Sequence, residues 1–203
     1  MKKYAVLHEP GDIVTLAGTR FVVLDVERRG SLPDSLFLLA LESVGASEFG
    51  SSNNYAESDL KKAVDKWLED MGKRGLDNAK LIPREIDLTT LDGSGCYGKL
   101  SVKAAPLTLD EDREYADIIP NAERWCWLAT GWSGPSKSDG CFVLCVNSNG
   151  YWSGDYCSNS NGIRPALKVP SVLFEDFEAG LDLSKIPTGD LLQEIHRRLA
   201  EKA

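Results

Sequence analysis

Residues 124–169 read RWCWLATGWSGPSKSDGCFVLCVNSNGYWSGDYCSNSNGIRPALKV, and they hold four of the chain's five tryptophans and four of its five cysteines. Two apolar segments, 125–129 and 141–146, predict strands. The Asn/Gly/Ser-rich stretches around them predict turns, so the whole reads as a β-meander rather than a helix. Tyr and Trp supply large, stiff contact area, while Ser, Gly and Asn supply adaptable hydrogen bonding, the mixture used by recognition loops. The stretch therefore predicts a binding face.

Upstream, residues 12–43 predict three antiparallel strands. Ile13–Leu16 turns through Ala17-Gly18-Thr19 into Arg20–Val26, and a Gly30–Asp34 turn leads into Leu36–Leu41. The runs FVVLDV and LFLLAL are almost continuously apolar, which predicts burial on both faces in places. Residues 58–71 give the clearest helix. Leu60, Ala63, Val64, Trp67, Leu68 and Met71 recur along one face, Ser58 is placed to cap the start, and Gly72 to end it in a left-handed cap. Trp67 on that face is a core residue. Residues 73–107 read as loop with strands at 86–91 and 99–102. Thr108 and Glu111 have capping-box spacing before a second helix, which Tyr115, Ile118 and Ile119 bury and Pro120 stops.

The chain has 203 residues, a formal net charge of -8 and 42% hydrophobic residues. That is core enough for one domain with an extension. The acidic balance argues against a general nucleic-acid binder, which needs a Lys/Arg surplus to neutralise phosphates, and against a basic membrane-surface patch. The N-terminus MKKYAVLHEPGD has no apolar run after its lysines, so it is not a secretory signal, and no segment reaches the ~20 apolar residues of a spanning helix. Cytoplasmic synthesis is the expectation. The five cysteines are neither even in number nor spaced as CxxC, and the two histidines lie at opposite ends. Buried free thiols, not a zinc site, are expected.

The order of an apolar hairpin, NNYAESDLKKAVDKWLEDM, a capped helix, RWCWLATGW, a polar tract and GIRPAL resembles the bacterial and phage branch of the C-type-lectin-like fold, whose relatives include formylglycine-generating-enzyme-like domains. The resemblance spans 11–169 and is carried most specifically by Trp125-x-Trp127-Leu128-Ala129-Thr130 and Gly162-Ile163-Arg164-Pro165-Ala166. It implies an α+β fold: two helices around a small twisted antiparallel sheet, with a long irregular binding region, over residues 1–169. Residues 170–203 form a C-terminal extension. Some members are variable proteins of diversity-generating retroelements, whose loops are rich in Asn, Ser, Tyr and Asp, as 147–161 is here. The setting implied is a bacterial or prophage product, such as a virion-associated adhesin.

Within the tract, Trp132, Asn147, Asn149, Tyr151, Trp152, Asp155, Tyr156, Asn159 and Asn161 are the candidate ligand contacts, with Tyr151, Trp152 and Tyr156 foremost. The aromatics stack on sugar C–H groups or anchor a protein interface, and the Asn and Asp side chains take hydroxyls. The alternative is that the rings only fill an irregular loop. Asn149-Gly150 equally fits a type I′ hairpin turn. Trp125 and Trp127 are expected on one buried strand face, and Trp132 at the loop edge. Arg164 is expected as a structural ion-pair or hydrogen-bond centre. Calcium needs six to eight oxygens, and Asp139 and Asp155 are the only carboxylates in the stretch, so no metal or other cofactor is expected. Cys141 and Cys145, four apart on a strand, share a face and are read as core, which weighs against a copper oxidase of the formylglycine-generating type. The reading is a non-enzymatic module recognising a glycan or protein on a cell surface. The alternative is an assembly module that oligomerises through an amphipathic helix at 188–202, with Leu191, Leu192, Ile195 and Leu199 along one side.

Overall fold

The structure, a computed structural model, describes residues 8–29, 32–137, 140–171 and 173. Strands β1 (Ile13–Leu16) and β2 (Thr19–Arg29) form a hairpin in which Leu16 pairs with Thr19. The two turn residues both have positive φ, 46° at Ala17 and 76° at Gly18, as a mirror-image two-residue turn requires. β3 (Leu32–Ala40) pairs antiparallel with β2, with a register shift between Val23 and Asp25. Phe21 and Val23 enter one core cluster while Val22 and Leu24 enter another. Burial on both faces is the physical origin of the unbroken apolar run.

The chain continues through β4 (Ala46–Glu48), a 3-10 turn at Tyr55–Glu57, α1 (Asp59–Lys73), β5 (Arg84–Asp87), β6 (Lys99–Val102) and β7 (Ala104–Ala105). The remaining elements among the described residues are α2 (Leu109–Glu114), β8 (Cys126–Gly131), β9 (Phe142–Val146), β10 (Trp152–Tyr156), β11 (Ser160–Gly162) and β12 (Ala166–Pro170). These strands build a five-stranded sheet β1-β2-β3-β12-β7, a second one β10-β9-β8-β11-β4, and a β5-β6 ribbon.

α1 buries Leu60, Val64, Leu68 and Met71, with Trp67 half-buried and its ring 6.4 Å from that of Phe21. Ser58 caps its start by accepting the Lys61 N–H at 2.9 Å. The helix runs past Gly72, however, and the left-handed residue is Gly75, with φ 105°. The Leu76 N–H then reaches the Met71 carbonyl and the Gly75 N–H that of Gly72, the pair of bonds that closes a Schellman cap. α2 starts with the expected capping box, in which Thr108 and Glu111 satisfy each other's backbone N–H groups.

The expected α+β fold, two helices around one small sheet with a long irregular region, is overturned. The described residues are dominated by β-structure in three sheets, and the helices are only 15 and 6 residues long. The region 147–161 is not irregular; it contains β10 and the first two residues of β11. The error has a physical source. β4, β7 and β11 are two or three residues long, too short for a period-two pattern, and β10 spells WSGDY with no buried face. The C-terminal amphipathic helix with Leu191, Leu192, Ile195 and Leu199, the Gly30–Ser31 turn residues and Asp139 lie outside the described residues.

Candidate functional site

The site grows from the β9–β10 hairpin, in which Trp152 pairs with Val146 and Tyr156 with Phe142. β10 is the outermost strand of its sheet. The connecting turn differs from the expected type I′. Asn149 does not have positive φ; only Gly150 does, at 83°. The Gly150 N–H donates to the Asn147 carbonyl at 3.0 Å and the Asn147 N–H to the Tyr151 carbonyl at 2.9 Å, the pattern of a type I turn followed by a left-handed glycine. The Asn147 side chain accepts the N–H groups of Asn149 and Tyr151 at 2.8 and 3.1 Å. Asn147 is thereby committed to the turn.

Trp152, Gly154 and Tyr156 alternate with Ser153 and Asp155 and so share one face of β10. The Tyr156 ring lies 4.1 Å from that of Phe142, and Trp132 packs edge-on to Phe142. A Cβ on Gly154 would come within 2.7 Å of the Trp132 ring, so the glycine gives Trp132 its seat. Trp132, Trp152, Tyr156 and Tyr151 are respectively 36, 45, 53 and 70% exposed. Trp152 is fixed from outside the tract. Its indole N–H donates to Asp112 Oδ2 at 2.6 Å, and the Arg113 guanidinium stands 5.2 Å from its ring centre, within cation–π range.

The polar candidates divide differently. Asp155 Oδ1 accepts from the Asn159 amide at 2.6 Å and from the Tyr156 N–H at 2.9 Å, and Oδ2 accepts from Asn161 at 2.8 Å. Asn161 is itself buried. These three residues hold the β10–β11 connection together, and their polar groups face one another. The structure thus gathers the aromatics at the surface and spends Asn147, Asp155, Asn159 and Asn161 on hydrogen bonds to nearby backbone N–H groups and to one another.

Beside Trp152 lies a cleft with about 180 Å³ of free space, lined by Asn149 and Gly150 of the hairpin turn and by Ile119 and Pro120. Gly150 is required there, since a Cβ would meet Asn121 Oδ1 at 2.6 Å. Asp112 and Arg164 are its charged lining residues. They are only 8 and 6% exposed. Burial raises the Asp112 pKa, with the Trp152 hydrogen bond and Arg164 pulling the other way; burial likewise lowers that of Arg164. Arg164 Nε donates to the Ala40 carbonyl at 2.8 Å, but Nη2 is buried with no partner. Of the two roles expected for Arg164, the structure shows a hydrogen bond to the backbone and no ion pair to any described residue. A buried donor left unmade costs about 1–3 kcal/mol. Sequence reasoning missed Asp112, Asn121 and the cleft. Asp112 falls in an acidic first helical turn, where every carboxylate looks like a helix-end charge.

Other expectations need correcting. Trp127 is fully buried and its indole N–H donates to the Ser47 carbonyl at 2.9 Å. Trp125, expected beside it, is 40% exposed because β8 begins only at Cys126; its carbonyl still accepts the Gly162 N–H at 2.7 Å. Cys141 was expected in the core with Cys145, but β9 starts at Phe142 and leaves Cys141 exposed, as is Cys96. Cys126, Cys145 and Cys157 are buried free thiols, and burial pushes Cys145 up to about 12. Neither a family model, nor a curated protein, nor a solved structure matches this chain.

Proposed function

We propose that the protein is a non-catalytic recognition module that binds a glycan or protein surface through the aromatic face of its β9–β10 hairpin. One observation carries this reading: four aromatic side chains stand exposed on and beside an edge hairpin, and two of them are held in place by dedicated contacts, Trp132 on Gly154 and Trp152 on Asp112. Exposed rings with fixed geometry contribute contact area at little ordering cost, and such residues supply most interface energy. The hydrogen bonding of Asp155, Asn159 and Asn161 supports a rigid platform beneath them.

The test is binding of the full chain to a panel of immobilised glycans and cell surfaces, run in chelator. A double variant, Tyr151→Ala with Tyr156→Ala, is run beside the parent. Both side chains are more than half exposed, so folding is expected to be unaffected. The reading expects chelator-resistant binding that weakens about tenfold or more in the variant, a hot-spot-sized loss. Binding of equal strength in parent and variant would refute this face.

A further inference from the structure

We propose that the cleft beside Trp152 is a subsite for one neutral sugar residue, bound through hydroxyls that bridge Arg164 and Asp112. This rests on the recognition reading above and narrows its ligand to a glycan. Two buried side chains of opposite charge line the cleft, and neither forms an ion pair with any described residue. Arg164 uses Nε on the Ala40 carbonyl; Nη2 is sealed from solvent without a partner, and no described residue accepts from Nη1. Asp112 uses Oδ2 on the Trp152 indole, and no described residue donates to its Oδ1. The residues lining the cleft therefore include a spare donor, Arg164 Nη1, and a spare acceptor, Asp112 Oδ1.

That combination selects a class of ligand. A carboxylate or phosphate would satisfy Arg164 but bring like charge to Asp112, and an ammonium group would do the reverse. An apolar group would leave both unsatisfied in a buried setting. A hydroxyl accepts from the guanidinium and donates to the carboxylate at once. The remaining walls suit the rest of a sugar ring. Val146, Ile119, Pro120 and the Trp152 ring offer apolar surface to C–H groups, and Asn121 and Asn149 add uncharged amides. A space of about 180 Å³ is below the ~300–1,000 Å³ of a drug-sized pocket, so it admits a single ring and not an extended ligand.

Saturation-transfer NMR on the full chain with free glucose, galactose, mannose, fucose and N-acetylglucosamine tests this, with acetamide as a comparison probe and inorganic phosphate, which carries no observable proton, added as a competitor of the sugars. Saturation transfer to one or more of the sugars is expected. It should fall roughly tenfold or more in Asp112→Asn, which keeps an oxygen for Trp152 but can present an amide donor to the cleft. Ala116→Phe, made on the exposed rim of the cleft, should also abolish it by filling the mouth, without disturbing the core. The proposal is overturned by no transfer to any sugar, by transfer unchanged in Ala116→Phe, or by phosphate or acetamide binding more tightly than every sugar. Panel binding that depends on Tyr151 and Tyr156 without sugar transfer would keep the recognition face and remove the cleft. Sugar transfer with panel binding indifferent to those tyrosines would keep the cleft and remove the face.

Discussion

Within 147–161, side chains of one composition take two jobs. The aromatics face outward, and Asn147, Asp155 and Asn161 fasten the backbone. Stability separates the two jobs. Asp155→Ala removes the acceptor of three hydrogen bonds and is expected to cost about 1–2 kcal/mol at this half-buried position. Tyr151→Ala, at the most exposed ring of the hairpin, should stay within about 0.5 kcal/mol of the parent. Urea unfolding of both variants checks this; equal losses would mean that Tyr151 is part of the platform. The sequence carried the residue types but not this division. Asn and Asp serve turns and ligands with the same atoms, and only the fold decides which atoms are spent. Arg164 illustrates the limit: its type invited a structural reading, whereas its unbonded Nη2 is visible only in three dimensions.

At the scale of elements, legibility followed length and cap chemistry. α1, the β1–β2 hairpin and the capping box of α2 could be read because periodicity, Ser58, Gly18 and Thr108 mark them locally. β4, β7 and β11 could not, because their pairing partners are supplied by distant chain. One such tertiary link holds the loop that carries Trp132. Asp92 accepts from Thr90 at 2.5 Å and from Lys137 at 2.6 Å, and its N–H donates to the Trp132 carbonyl at 3.3 Å. The bonds from Lys137 and Thr90 pull the Asp92 pKa down to about 2. A depressed carboxylate pKa contributes stability that is complete above the unfolded value of ~3.9 and is lost as pH falls through the folded value. Acidification from about pH 4 to about pH 2 should therefore release this loop, seen as a change in tryptophan fluorescence that is smaller in Asp92→Asn. An identical acid response in that variant would place the transition elsewhere. The Asp92–Lys137 pair is solvent-facing, so added salt should weaken the effect.

Across the whole molecule, two sheets share their cores through strands buried on both faces. β2 feeds both clusters, and every residue of β8 is buried. The hairpin that carries the aromatics sits at the edge of this rigid body, braced on one side by α2 through Asp112 and on the other by the β10–β11 connection. The apolar runs that fix this core were plain in the sequence; the assignment to a helix-flanked single sheet was not sound, because it treated an edge hairpin as irregular loop. Recognition through that hairpin is the central claim. Its most direct test is the affinity of the full chain for its best panel ligand, compared with a variant in which Tyr151, Trp152 and Tyr156 are all alanine and whose thermal unfolding remains cooperative. The account predicts binding reduced to background in a still-folded protein. Binding at parental strength in that variant would contradict it.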